Sequence, residues 1–258
     1  MGNLIKLDLT KIIKDKLFII MAILALAAAL VNPLLYKLIE LIAEEQIISA
    51  KNLAFLTFAP TGGSGLVICV FLPIILNKEY SNGVLRNKII YGKSRPQIYF
   101  SLLLSSFIIA FGILLVASII SFAFSLALFK YDALGETNAA KDIGAYFLSI
   151  LFEALAWAYV ISLSAFFTVA LHNVALAIVI PITASVMLSL LGTLLATFAK
   201  DSTAQEIISY INIYSLIEYI KIGDYTFKQI LALCITPVVY AGVFIGAGFA
   251  IFNKRDIK

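Results

Sequence analysis

Apolar residues along this chain fall into six blocks, at 17–36, 55–76, 98–129, 143–171, 174–198 and 230–252, set apart by polar stretches. A helix needs about 20 apolar residues to cross the roughly 30 Å hydrocarbon layer, and each block is of that order or longer. Glu153 is the one charged residue inside any of them. The pattern predicts an all-α integral membrane protein with six transmembrane helices, folded as one domain over 1–258. The block at 98–129 exceeds what a bilayer requires, so its helix should tilt or protrude. Asn32-Pro33 should kink the first helix near its end. The second begins around Pro60 and Gly62-Gly63-Ser64-Gly65, a flexible or closely packed start.

The polar stretches carry their own periodicity. In 1–16, Ile5, Leu9, Ile12 and Ile13 recur at helical spacing, with Lys6, Lys11 and Lys14 mostly elsewhere. This predicts an amphipathic helix lying in the membrane interface, its lysines near anionic headgroups; a merely solvated basic terminus is the plainer reading. Segment 77–96 is a dense polar patch with five basic residues and one acid, Glu79. A short helix over 78–91 fits it, interrupted at Gly83, with Leu85, Ile89 and Ile90 on an apolar side and Arg86 and Lys88 on a basic one. Gly92 is a natural stop. Ser94-x-x-Gln97 is a capping box and Pro96 suits a first turn, so the next span starts firmly here. The connector at 200–228 holds two more capping boxes, Thr203-x-x-Glu206 and Ser215-x-x-Glu218. They predict two short helices, which either dip into the outer leaflet as a hairpin, pack over the spans, or lie on the surface.

Composition agrees with membrane insertion: 62% of residues are hydrophobic, mean hydropathy is +1.03 and 13% are charged, about half the usual charged share of a soluble domain. Charge sets the orientation. Six spans put both termini on one side, and that side holds twelve of the nineteen Lys and Arg but only four acids. Cytoplasmic loops are enriched in basic residues, so the termini and 77–96 are expected in the cytoplasm of a cell that carries the protein in its plasma membrane. The first block lacks a small-residue cleavage site and reads as a retained helix. Cys69 and Cys234 both fall inside apolar blocks and suggest neither a disulfide framework nor a metal site.

Several chemistries find no support. There is no GxxxxGK[ST], and the glycine run at 62–65 has no lysine after it, so no nucleotide cradle is expected. Glu44-Glu45 is an acidic pair, but His172 is the single histidine, too few ligands for a zinc centre. No Ser/His/Asp set is credibly placed, so no catalytic residue, metal or cofactor is expected on this chain, and nothing calls for nucleic acid. Glu153 is the polar exception. A charge at bilayer depth costs at least about 2.5–3.5 kcal/mol on insertion scales, so it should line a path or meet a partner. One reading makes Glu153, Trp157 and Asn32 candidate lining of a cavity or translocation path. The other makes Glu153 a buried hydrogen-bonding residue between spans, or sets it near the outer interface. Gly242-x-x-x-Gly246, followed by Gly248, is a small-residue face suited to close helix packing.

Glu79-Tyr80-Ser81-Asn82-Gly83-Val84-Leu85-Arg86, then Gly92-Lys93-Ser94-Arg95 and a span, resembles the signature of ABC-2 type transporter permeases, the membrane subunits of ATP-driven exporters. Val84 stands where that signature usually has threonine. Length, six spans, cytoplasmic ends and an interfacial first helix resemble the family across the whole chain. The resemblance implies that 78–91 is the coupling helix, with Glu79, Tyr80, Gly83, Val84, Leu85, Arg86, Lys88 and Ile89 meeting a separate ABC ATP-binding subunit that binds ATP and Mg. It also implies a second permease copy and a re-entrant helical hairpin before the last span. The implied function is outward transport of an amphipathic or hydrophobic cargo such as a peptide, toxin or drug. A secondary transporter and a non-transporting assembly or sensor subunit are the alternatives. The former should show internal repeats and several intramembrane charges; no clear repeat and one such charge are present.

Overall fold

A computed structural model describes residues 2–43, 63–81, 83–129, 139–171, 173–198, 208, 210 and 226–254. They form α1 (Gly2–Ile13), α2 (Lys16–Ala43), α3 (Gly63–Ser81), α4 (Val84–Ile90), α5 (Arg95–Leu128), α6 (Ala139–Leu171), α7 (Val174–Phe198) and α8 (Phe227–Lys254), with no strand among the described residues. Five stretches are long and apolar enough to cross a membrane: Lys16–Ile42, Arg95–Leu128, Ile150–Leu171, Val174–Gly192 and Phe227–Lys254. The chain is an all-helical, multi-pass membrane protein. Its outer surface fits that solvent, since Ile19, Ile23, Leu34, Val179, Leu194, Val239 and many like them stand exposed.

Elements begin and end where local chemistry dictates. The Ser94 N–H donates to Gln97 Oε1 at 3.3 Å, starting α5 three residues before the predicted span. Asn173 caps α7: Oδ1 accepts from the N–H of Ala175 at 3.0 Å and of Leu176 at 3.4 Å. Thr226 and Gln229 cap α8 reciprocally, with Thr226 N–H to Gln229 Oε1 at 2.8 Å. Among the described residues, Pro33, Pro73, Pro181 and Pro237 all lie inside helices without ending them. α2 runs through Pro33 to Ala43, absorbing residues 37–43 that the hydropathy pattern assigns to a connector. Neighbouring helices tolerate a proline inside a membrane helix because they re-satisfy the freed backbone. In that extra length Lys37 pairs with Glu40 at 3.1 Å and sits 5.2 Å over the Phe129 ring, tying the far ends of α2 and α5 together.

α6 is the hub. Within its spanning window 61% of residues are buried, against 33% or less for the other four. It packs most extensively on α8 and also meets α3, α5 and α7, while α2 lies against α3 and α5. Tyr99 of α5 closes one end of this bundle. Its hydroxyl donates to the Ile245 carbonyl at 3.3 Å, and its ring lies 5.6 Å from Phe252 and 5.9 Å from Phe249. Gly248 makes that approach possible, because a methyl there would sit 2.4 Å from the Tyr99 hydroxyl. The expected packing face therefore shifts. Methyls at Gly242 and Gly246 would meet nothing within 4 Å, so within the chain the close contact belongs to Gly248.

The start of the second predicted span (55–62), the loop at 130–138, His172 and nearly all of the predicted hairpin at 200–225 lie outside the described residues. Tyr210 is described, and its carbonyl accepts from Thr236 Oγ1 of α8 at 2.9 Å.

Candidate functional site

The predicted coupling segment is two elements. α3 runs from Gly63 to Ser81 and is not among the five stretches long and apolar enough to cross a membrane; Glu79 and Tyr80 stand in its last turn. Gly83 then takes the left-handed conformation (φ 66°), which favours glycine, at the N-cap of α4. α4 follows as seven residues, Val84–Ile90. Gly92, also left-handed at φ 77°, ends it, with Lys93 N–H reaching the Lys88 carbonyl at 3.1 Å and Gly92 N–H the Ile89 carbonyl at 2.9 Å.

Behind α4 lies a buried charge cluster drawn from four helices. Lys88 Nζ donates to Asp8 Oδ1 at 2.6 Å and to Glu79 Oε2 at 3.2 Å. Ser101 of α5 donates to the other Asp8 oxygen at 2.6 Å. Lys11 of α1 pairs with Glu79 Oε1. Asp8, Glu79, Lys88 and Ser101 are all buried, while Lys11 opens to solvent. Two carboxylates and two ammonium groups cancel, so each buried charge has the partner that burial demands. The cluster joins α1, the end of α3, α4 and the first turns of α5 into one body.

A second pair guards its edge. Lys78 Nζ reaches Asp15 at 2.8 and 3.0 Å, and Asp15 also accepts from the Leu17 N–H at 3.0 Å at the start of α2. The Lys78 ammonium holds the Asp15 carboxyl below its usual range, helped by that backbone N–H and opposed by partial burial. A depressed folded-state value means that the stabilisation is present above the ordinary carboxylate range and is lost as pH falls through the lowered value. Asp15→Asn is expected to cost about 0.2–1 kcal/mol at neutral pH, the range of exposed pairs. Unfolding of wild type and variant compared across acid pH should show the gap closing as Asp15 protonates. A gap unchanged with pH would mean that the carboxylate does not carry the effect.

The cluster re-sorts the predicted site residues. Leu85 and Lys88 point inward and are buried, as is Glu79; Tyr80, Gly83, Val84 and Ile89 are half-buried. Glu79 and Lys88 are thus spent within the chain rather than offered as docking charges. Arg86 and Asn87 face outward, together with Ile90 and Tyr91 at 69% and 82% exposure. Asp8, Lys11, Ser101 and Tyr91 were absent from the predicted set. Asp8 left a signal: Leu4, Asp8 and Ile12 are the buried residues of α1, and a carboxylate centred on the inward stripe of a helix needs a cation. On that stripe Leu4 and Ile12 pack into the protein, with α1 lying against α5, while Leu7 and Ile13 stand exposed.

The second predicted group is drawn from two helices. Glu153 and Trp157 are buried within α6, and Asn32 is half-buried on α2, a helix that packs on α3 and α5. No group of three His, Cys, Asp or Glu suited to a metal occurs among the described residues.

A family model described as a protein of unknown function (DUF2705) matches residues 64–258. The chain belongs to that family. The DUF2705 match takes in Glu79, Lys88 and Ser101 but begins after α1, so Asp8 and Lys11 lie outside it. No curated protein matches the chain.

Proposed function

We propose that this chain is the membrane subunit of an ATP-driven exporter, oriented in the plasma membrane with both termini in the cytoplasm, and that α4 is where a separate ATPase subunit pushes. The observation that carries the reading is the combination in α4 of a rigid back and an uncommitted front. Its back is bonded through Lys88 to Asp8 and Glu79, so displacement of α4 moves α1, α3 and α5 with it. Its front presents Arg86, Asn87, Ile90 and Tyr91. An aromatic, an aliphatic and an arginine together are the composition of a binding hot spot. The excess of lysine and arginine on this side favours a cytoplasmic location, and a resemblance of 79–86 to the ABC-2 signature names the kind of partner. A second copy of the chain would complete the pathway for an amphipathic or hydrophobic cargo, and ATP with Mg would bind on the ATPase.

The test is purification in mild detergent from the native membrane, with ATP hydrolysis and bound ATPase measured on the same sample. Arg86→Glu combined with Tyr91→Ala should reduce bound ATPase and its hydrolysis at least tenfold while leaving thermal unfolding unchanged. Full retention of the ATPase by that double variant, or no ATPase with the wild type, would overturn the reading.

A further inference from the structure

Where α5, α6 and α8 meet, their side chains leave a cleft of about 310 Å³, at the lower end of the volumes that hold small ligands. Phe100, Leu104 and Phe107 form one wall, Ala158 and Ile161 another, and Ile245 the third. The cleft is independent of the charge cluster and of how α4 is used.

Its chemistry is that of hydrocarbon. Ser162 is the one side chain with a polar atom in the lining, and its hydroxyl already donates to the Tyr159 carbonyl at 2.7 Å. No lining group asks for water. Phe100 and Leu104 are 40% and 43% exposed, so the cleft opens on the outer face of a helix long and apolar enough to span a membrane. An unfilled cleft of this size forfeits dispersion contacts along its walls, which lipid chains are at hand to restore.

Cations stand at one end. Arg95 Nη1 donates to the Asn253 carbonyl at 2.5 Å, bringing the start of α5 to the end of α8, where Lys254 is the last helical residue. Phe100 is five residues along α5 from Arg95, about 8 Å, and Ile245 nine residues before Lys254, about 14 Å. A phosphate at that end would lie about one and a half to two and a half helical turns from the apolar walls, the separation between a glycerophosphate and the upper half of its chain. Charge and shape thus ask for different parts of one molecule.

We propose that this cleft binds one acyl chain of an anionic phospholipid, with the lipid phosphate held at the Arg95–Lys254 end. The occupant is drawn from the bilayer.

Trp157 reports on the cleft. It is the chain's one tryptophan, fully buried, and lies one turn before Ile161 on the same face of α6. Lipid on the outer surface does not touch it, whereas its chain neighbour Ala158 and Ile161, one turn on, both line the cleft. The experiment places the full chain in phosphatidylcholine vesicles containing increasing fractions of phosphatidylglycerol brominated on its acyl chains, which quench tryptophan at short range. Quenching should saturate at a low fraction of the brominated lipid. Ser162→Leu and, separately, Ala158→Leu fill the cleft and should each reduce that quenching at least threefold. Arg95→Gln with Lys254→Gln should raise the half-saturating fraction at least threefold, with the maximum unchanged. Three results would overturn the proposal: no quenching, quenching that climbs in proportion to brominated lipid equally in wild type and both filled variants, or quenching that disappears as protein is concentrated in the membrane, which would give the cleft to a second copy of the chain.

Discussion

Lys88→Met is expected to destabilise the folded bundle by about 3–5 kcal/mol, the cost of removing one partner from a buried ion pair. The reason is what remains. Lys88 bonds Asp8 and Glu79 at once, and both carboxylates are buried. Without it Asp8 keeps only the Ser101 hydroxyl, and Glu79 depends on Lys11, which is open to solvent. Two anions then share a dry site, and one must take up a proton or the helices must part. Denaturant unfolding in detergent, followed by Trp157 fluorescence, measures the loss. Arg86→Met, on the exposed face of the same helix, should stay within about 0.5 kcal/mol of wild type. Adding Asp8→Asn to Lys88→Met should recover a large part of the loss, since it removes the stranded charge. Equal stability of the Lys88 and Arg86 variants would mean that the cluster is not held in a dry interior.

Gly248→Ala is expected to cost about 1–3 kcal/mol, as overpacking of a well-filled interior does. The added methyl would lie 2.4 Å from the Tyr99 hydroxyl and 3.6 Å from the Phe166 Cα. Tyr99 has little room to yield, because its ring sits among Phe100, Phe249 and Phe252 and its hydroxyl is bonded to Ile245. The same change at Gly246 meets open space and should be nearly neutral. Tyr99→Phe removes the colliding oxygen, so the Gly248→Ala, Tyr99→Phe double variant should be more stable than the sum of the single changes predicts. Additive losses would show that the clash is relieved elsewhere.

These two sites differ in how far they could be read in advance. At Gly248 the small-residue spacing pointed to the right helix, and only the partner's position chose among three glycines. At Lys88 the sequence pointed the other way. Arg86 and Lys88 are two residues apart and equally basic on paper, yet helical geometry turns one outward and one inward. The inward one is tolerable because Asp8, eighty residues earlier, is buried opposite it. Nothing local to 77–96 distinguishes them. Glu153 is legible as unusual, but whether a buried carboxylate lines a path depends on which spans surround it, and the structure buries it within α6.

The sequence by itself determined that this protein lives in a membrane, that a capping box at Ser94 opens α5, and that segment 77–96 is a bounded polar element. Those properties follow from blocks of apolar residues, capping side chains and left-handed glycines, all of which act within a few residues of chain. Tertiary structure decided which face of α4 is spent and which is offered, which glycine admits a neighbour, and where three spans leave room for a lipid chain. Each of these depends on groups brought together from distant parts of the chain. Burial then makes their pairing matter, because an unmatched charge or an overfilled contact costs several kcal/mol only where water cannot reach it.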